Sequence, residues 1–236
     1  MEKIDTKYLH SFYDNLNKEK DACGIGLVAN IDGKKEYRIL DDALSIVERL
    51  SHRAGKDASG EVGDGVGVLT QIPHKFFKRV AKDYNIHLGN VGDYGIAMIF
   101  FPNDDEREKE INLFKNVCKN NGLNILGWRA VPINYKILGK KAIDCMPKIM
   151  QCFVERPSDC EKGLEFDQRL YVCRREFEHK SNKTFINSFS SRTIVYKGMF
   201  LVNQLRQFYS DLQDEDFETA IAIVHSRFST NTLPSW

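Results

Sequence analysis

The sequence predicts a mixed α+β domain. Short apolar runs of strand character are interspersed with amphipathic helical stretches, and several strand–turn–strand signals occur. No repeat, low-complexity tract or Pro/Ser-rich linker divides the 236 residues, so one domain with a substantial core is expected.

In chain order, residues 24–30 form a short apolar strand, and Asn30-Ile31-Asp32-Gly33 supplies turn chemistry for a hairpin. From Asp41 to Leu50, the residues Ala43, Leu44, Ile46, Val47 and Leu50 share one helical face, with Asp41 or Asp42 as candidate cap. Residues 51–67, rich in Gly, Asp and Ser, read as a long loop. Val66 to Ile72 is a strand stopped by Pro73. A helix follows over about His74 to Tyr84, with Phe76, Phe77, Val80, Ala81 and Tyr84 inward. Gly95 to Phe101 is a strongly apolar strand. Asn103 to Asn121 is the clearest helix, acidic in its first turn and followed by Gly122. Ile125–Val131 and Ile149–Val154 read as strands, Phe166–Phe177 as helix, Arg192–Tyr196 as extended and Asn203–Tyr209 as a short helix. Ala220 to His225 is a buried strand running into Ser226-Arg227-Phe228-Ser229-Thr230-Asn231-Thr232.

Composition excludes several function classes. Lys plus Arg (34) balances Asp plus Glu (33), so no bulk field recruits nucleic acid or a membrane surface. No apolar run approaches the roughly 20 residues that span a bilayer. Residues 1–22 alternate charged and polar side chains without an apolar centre, which is not a secretory signal; a cytoplasmic location is expected. The six cysteines form no C-x-x-C pair and no metal-ligand spacing with histidine, so no metal site is expected and reduced thiols are.

Three segments carry chemistry. Asp21-Ala22-Cys23-Gly24-Ile25-Gly26 places a cysteine behind a removable leader, residues 1–22. Cleavage before Cys23 would put a thiol and a free α-amine on one residue. Their ordinary pKa values, about 8.5 and about 8, make proton transfer between them nearly balanced. A lone cysteine is more often a small buried hydrophobe. Here Gly24 and Gly26 share the strand face opposite Cys23, Ile25 and Leu27, where a ligand or a backbone could approach closely. The glycine-rich run from Gly55 to Gly67 lacks a Gly-Lys-Ser/Thr ending and precedes a strand, so it reads as a connector. After the last strand, Arg227 offers a planar fork for a carboxylate, with hydroxyls beside it; the plainer reading is a capped turn with an arginine salt bridge.

Taken together, Asp21–Gly26, Gly63–His74, Ser190–Met199 and Val224–Thr232, ending in Pro234-Ser235-Trp236, closely resemble the glutamate synthase large subunit. The resemblance spans nearly the whole chain in order. It implies a class II glutamine amidotransferase domain over 23–236, with the four-layer αββα sandwich of N-terminal-nucleophile hydrolases, incomplete at the C-terminus. It implies Cys23 as nucleophile acting on L-glutamine, Arg227 as holder of the substrate α-carboxylate, and Thr230 and Arg53 as further substrate contacts. The ammonia would be used for reductive amination of 2-oxoglutarate in absent regions, serving glutamate biosynthesis and ammonia assimilation. FMN, an iron–sulfur cluster and a reductase subunit or ferredoxin are implied for the full-length parent, and no cofactor for this chain. Related amidotransferases hold the oxyanion with an Asn-Gly pair beyond the segment matching Trp236. Losing one such donor costs about 3 kcal/mol, so the unprocessed chain is expected to be inactive alone. The alternative expectation is a non-catalytic ligand-binding or interaction module that keeps the fold.

Overall fold

The computed structural model describes residues 23–55, 60–227 and 235–236. Eight strands form two antiparallel sheets. In the first, β1 (Gly24–Ala29), β8 (Ile221–Ser226), β2 (Val66–Gln71) and β7 (Thr193–Gly198) lie in the order β1-β8-β2-β7. In the second, β4 (Asn124–Ala130), β5 (Lys148–Glu155), β3 (Tyr94–Phe101) and β6 (Phe185–Ser190) lie in the order β4-β5-β3-β6. Six helices accompany them among the described residues: α1 (Tyr37–Arg49), α2 (His74–Val80), α3 (Arg107–Asn120), α4 (Lys140–Asp144), α5 (Leu164–Lys180) and α6 (Leu205–Phe208).

Strand β3 is buried along its whole length because it is covered on both faces. Ile96, Met98 and Phe100 enter the core shared with the first sheet, together with Val68, Val224, Tyr196 and the α1 residues Leu40, Ala43, Leu44 and Val47. Ala97, Ile99 and Phe101 point the other way, into a second core with Phe114 of α3 and Leu170 and Phe177 of α5. The alternation follows from the period of two along a strand.

The chain changes sheet at the turn between β6 and β7, and Asp167 of α5 holds that corner. Its carboxylate accepts hydrogen bonds from the Ser191 backbone N–H (2.7 Å) and from the hydroxyls of Ser191 (2.8 Å) and Ser190 (3.2 Å), and pairs with Arg192. A second polar element crosses between the sheets. Arg129 of β4 and Asp211 form a bidentate pair, 2.7 Å on each arm, with both side chains only 3% exposed. Gln151 of β5 accepts from Arg129 at 2.8 Å and donates to the Tyr196 hydroxyl of β7 at 2.9 Å, which donates to Asp211 at 2.7 Å.

Several local expectations need correction. The turn after β1 leads into α1 instead of a hairpin, and β1 pairs with β8, at the far end of the chain. Helix α1 starts at Tyr37, after Glu36, so Asp41 and Asp42 lie inside it; Asp41 pairs with Arg206 instead of capping. Tyr84 is 43% exposed, because the helix from His74 tightens into a 3-10 turn at Ala81–Tyr84 and ends at Asn85, which adopts left-handed backbone. Strand β6 and helix α4 carried no recognisable pattern: Phe185–Ser190 has mixed polarity, and Lys140–Asp144 is a single turn. Gly24 and Gly26 do face a close neighbour, but it is the core and not a ligand. A Cβ on Gly26 would lie 2.5 Å from Ile46 Cγ2 of α1, and one on Gly24 2.5 Å from Ser226 Oγ. The opposite face of β1 carries Ile25 and Leu27, 69% and 57% exposed.

The buried ion pair yields a stability prediction. Asp211→Ala strands a charged guanidinium in the core and should cost about 3–5 kcal/mol, whereas Arg129→Met/Asp211→Leu should recover most of that loss. Denaturant midpoints of the three variants test this; a double variant less stable than the single one would contradict it.

Candidate active site

The site grows from strand register. Gly24 of β1 stands opposite Ser226 of β8, and Ser226 stands opposite Val66 of β2. The residues just beyond these, Cys23, Arg227 and Gly65, therefore emerge together at one end of the first sheet. Hydrogen bonds extend the pattern past the strands: the Arg227 N–H donates to the Gly65 carbonyl at 2.7 Å, and the Cys23 thiol to the Arg227 carbonyl at 3.7 Å. Beneath them, the Ser226 hydroxyl donates to the Gly24 carbonyl at 3.3 Å.

Arg227 leaves β8 with φ of +73°, in the left-handed region, which costs a non-glycine residue about 1–2 kcal/mol. That backbone turn accompanies two contacts at once. The carbonyl accepts from Cys23, and the side chain reaches Asp64, whose Oδ2 accepts from Arg227 Nε at 2.9 Å. Both side chains are largely covered, 26% exposed for Arg227 and 18% for Asp64. Asp64 engages Nε alone, so the two terminal guanidinium nitrogens have no partner among the described residues.

The loop before β2 is built around Asp64. Its backbone N–H donates to the Gly55 carbonyl at 3.3 Å, and a Cβ on Gly55 would lie 1.7 Å from its Oδ2. Gly63 passes so close to Phe200 that a Cβ there would lie 2.4 Å from that carbonyl. The glycines of this segment thus let the chain pack tightly around a carboxylate.

Of the residues singled out from the sequence, Cys23 and Arg227 are brought together. Thr230 lies outside the described residues. Arg53 sits at the end of the 3-10 turn Leu50–Arg53, exposed, and no hydrogen bond or ion pair joins it to Cys23, Asp64 or Arg227 among the described residues. Its turn does begin beside the site, since Leu50 Cδ1 would be 3.1 Å from a Cβ on Gly24. Asp64 was missed as a site residue, because the glycine-rich run read as a connector. The available signal was a lone acid between two glycines, Gly63-Asp64-Gly65, ahead of a strand of the same sheet. The arginine salt bridge expected as the plainer reading of Arg227 is present, and it coexists with the fork.

Cys23 differs from the other cysteines. It is half-buried at a strand start, whereas Cys118, Cys152, Cys160 and Cys173 are buried in the second core and Cys145 is exposed. The hydrogen bond with Cys173 and burial hold the Cys118 thiol well above the usual range, and burial does the same for Cys152. Among the described residues no three of His, Cys, Asp and Glu converge to hold a metal ion. No helix there is long and apolar enough to cross a membrane.

A family model described as "Glutamine amidotransferases class-II" matches residues 23–236. The chain is 42% identical over 223 residues to the large chain of NADPH glutamate synthase from Bacillus subtilis (strain 168), covering 92% of this chain and 14% of that one. It is 37% identical over 230 residues to ferredoxin-dependent glutamate synthase 1, chloroplastic/mitochondrial, from Arabidopsis thaliana, covering 94% and 14%. With the large chain of NADPH glutamate synthase from Azospirillum brasilense the identity is 38% over 232 residues, covering 94% and 15%. The chain therefore spans about one seventh of the length of these relatives.

The burial pattern sets an expected order of thiol reactivity. In the native chain iodoacetamide should modify Cys145 and Cys23, and reach Cys118, Cys152, Cys160 and Cys173 only after denaturation. Peptide mass mapping of timed samples reads this; early labelling of Cys118 or Cys173 would contradict the second core.

Proposed function

The chain belongs to the class-II glutamine amidotransferases, an enzyme family, and from that premise we propose that Cys23 is the nucleophile of a glutamine-hydrolysing site. The observation that carries the reading is the pairing of Cys23 with an arginine whose fork is free. Asp64 takes Nε of Arg227, which fixes the guanidinium and leaves its terminal nitrogens for a carboxylate.

In the sequence described, the nitrogen of Cys23 is an amide bonded to Ala22 and cannot accept a proton. Removal of residues 1–22 turns it into an amine, and the family match beginning at Cys23 supports that boundary. The amine then takes the thiol proton as Sγ attacks the side-chain amide carbon of glutamine. It returns that proton to the nitrogen as the C–N bond breaks and ammonia leaves. Water hydrolyses the remaining thioester, giving glutamate and restoring the thiol. Arg227 holds the α-carboxylate throughout, at the end of β8 beside the start of β1. Thr230 and Arg53 are further candidate contacts to the substrate. Names of the relatives, and the small share of each that the chain covers, support placing this domain within a longer glutamate synthase, in which the ammonia would aminate 2-oxoglutarate. FMN, an iron–sulfur cluster and the contacts to a reductase or to ferredoxin would then belong to the rest of that protein.

Ammonia release from L-glutamine by the full-length protein tests the reading. Cys23→Ala should abolish it while leaving the fold unchanged. Arg227→Ala should raise the KM for glutamine about 10- to 100-fold, the value of a charge-assisted carboxylate contact, with a smaller change in kcat. Undiminished hydrolysis in Cys23→Ala, or an unchanged KM in Arg227→Ala, would overturn it; a protein that binds glutamine without hydrolysing it would be a binding module.

A further inference from the structure

A sizeable cavity lies away from Cys23. It measures about 630 Å³ and opens at the other end of the first sheet, lined by Gln71 where β2 ends, Thr193 where β7 begins and Ile221 where β8 begins. Gln71 is six residues from Gly65, so along an extended strand the two ends are about 20 Å apart.

Its walls are chemically one-sided. Lys35, Lys162, Arg192 and His74 contribute four basic side chains, and no aspartate or glutamate lines the cavity. Ile72 and Tyr94, both buried, give it an apolar floor. The cations differ in how far they are already neutralised. Lys162 lies 2.8 Å from Asp93, and Arg192 pairs with Asp167, so each keeps part of its hydrogen-bonding capacity engaged outside the cavity. Lys35 is exposed and has no acidic partner among the described residues. His74 shares a hydrogen bond through Nδ1 with the Tyr94 hydroxyl at 3.0 Å, which leaves Nε2 without a partner there. Burial above all, with smaller contributions from the charges of Lys78 and Lys35, lowers the His74 imidazole from its ordinary value.

We propose that this cavity is a second ligand site, separate from the Cys23 end, that takes a small organic anion: a carboxylate or phosphate head met by Lys35, Arg192 and His74, and an apolar body against Ile72 and Tyr94. A positive, acid-free rim concentrates anions, and the apolar floor selects those with a hydrophobic portion over inorganic ions. Ser190 and Ser191 also line the cavity, and the same Asp167 that organises their hydroxyls holds Arg192 in place. The cationic wall is therefore preorganised by the corner between the two sheets.

Titration of the isotopically labelled chain with benzoate, phenyl phosphate and benzyl alcohol, followed by amide NMR shifts, tests this. Saturable shifts are expected at Gly92, Thr193 and Ile221 with either anion, and the tighter of the two identifies the head group. Benzyl alcohol should bind more weakly than both. Lys35→Glu, at an exposed position, should weaken anion binding about tenfold, and Lys35→Arg should restore it. Absence of saturable shifts, equal binding of benzyl alcohol, an unaltered affinity in Lys35→Glu, or shifts centred on Gly65 and Arg227 would each overturn the proposal.

Discussion

The antiparallel pairing of β1 with β8 is the constraint on which the rest of the molecule depends. It brings Cys23 to Arg227 across 204 positions of chain, with Gly24 opposite Ser226 and β2 on the other side of β8. Closing so long a loop costs entropy, and the strand ladder alone does not offset it. The compensation comes from burial. Gly24 and Gly26 have no side chain, so Ile46 of α1 and Leu50, which begins the 3-10 turn after it, sit directly on the strand, and Val224, Ala222 and Val68 complete the core. A slip of one residue would turn Ile25 and Leu27 inward against that helix and move Cys23 off Arg227.

Around this register the structure places polar groups of very different weight. The Arg129–Asp211 pair, with Gln151 and Tyr196, is fully enclosed and spans both sheets. Its loss leaves a buried charge and is felt globally. The Asp64–Arg227 pair is partly solvated and contributes about 1 kcal/mol or less. That is comparable to the strain of the left-handed backbone at Arg227. Asp64 is thus better understood as setting the direction of a guanidinium than as stabilising the fold. Asp64 holds Arg227 by Nε and leaves its two terminal nitrogens without a partner among the described residues.

Much of the fold was legible in the amino-acid pattern. The β3 run of Tyr94–Phe101 and the acidic-start helix α3 stand out because burial on both faces and a strong local dipole pattern each leave a clear signature. Strand β6 did not stand out: its residues Ser188 and Ser190 hydrogen-bond at the corner with β7 and Asp167. Partners of β1 could not be read locally, since a turn after a strand looks the same whether it opens a hairpin or a helix. Within the site, Cys23 and Arg227 were visible as chemistry-bearing types in unusual surroundings. Asp64 was not, because an acid in a glycine-rich loop acquires meaning only once the sheet brings Arg227 to it. Residue Arg53 shows the reverse: a resemblance placed it at the site, and the 3-10 turn leaves it exposed beside it.

The central claim is that Cys23 and Arg227 grip the two ends of one glutamine molecule. A crystal structure of the processed protein, reacted with a glutamine analogue carrying an electrophilic ketone in place of the amide, tests it most directly. The account predicts a covalent bond from Cys23 Sγ to the analogue, with its α-carboxylate on the terminal nitrogens of Arg227 and Asp64 still on Nε. An adduct on another cysteine, or a carboxylate bound away from Arg227, would contradict it.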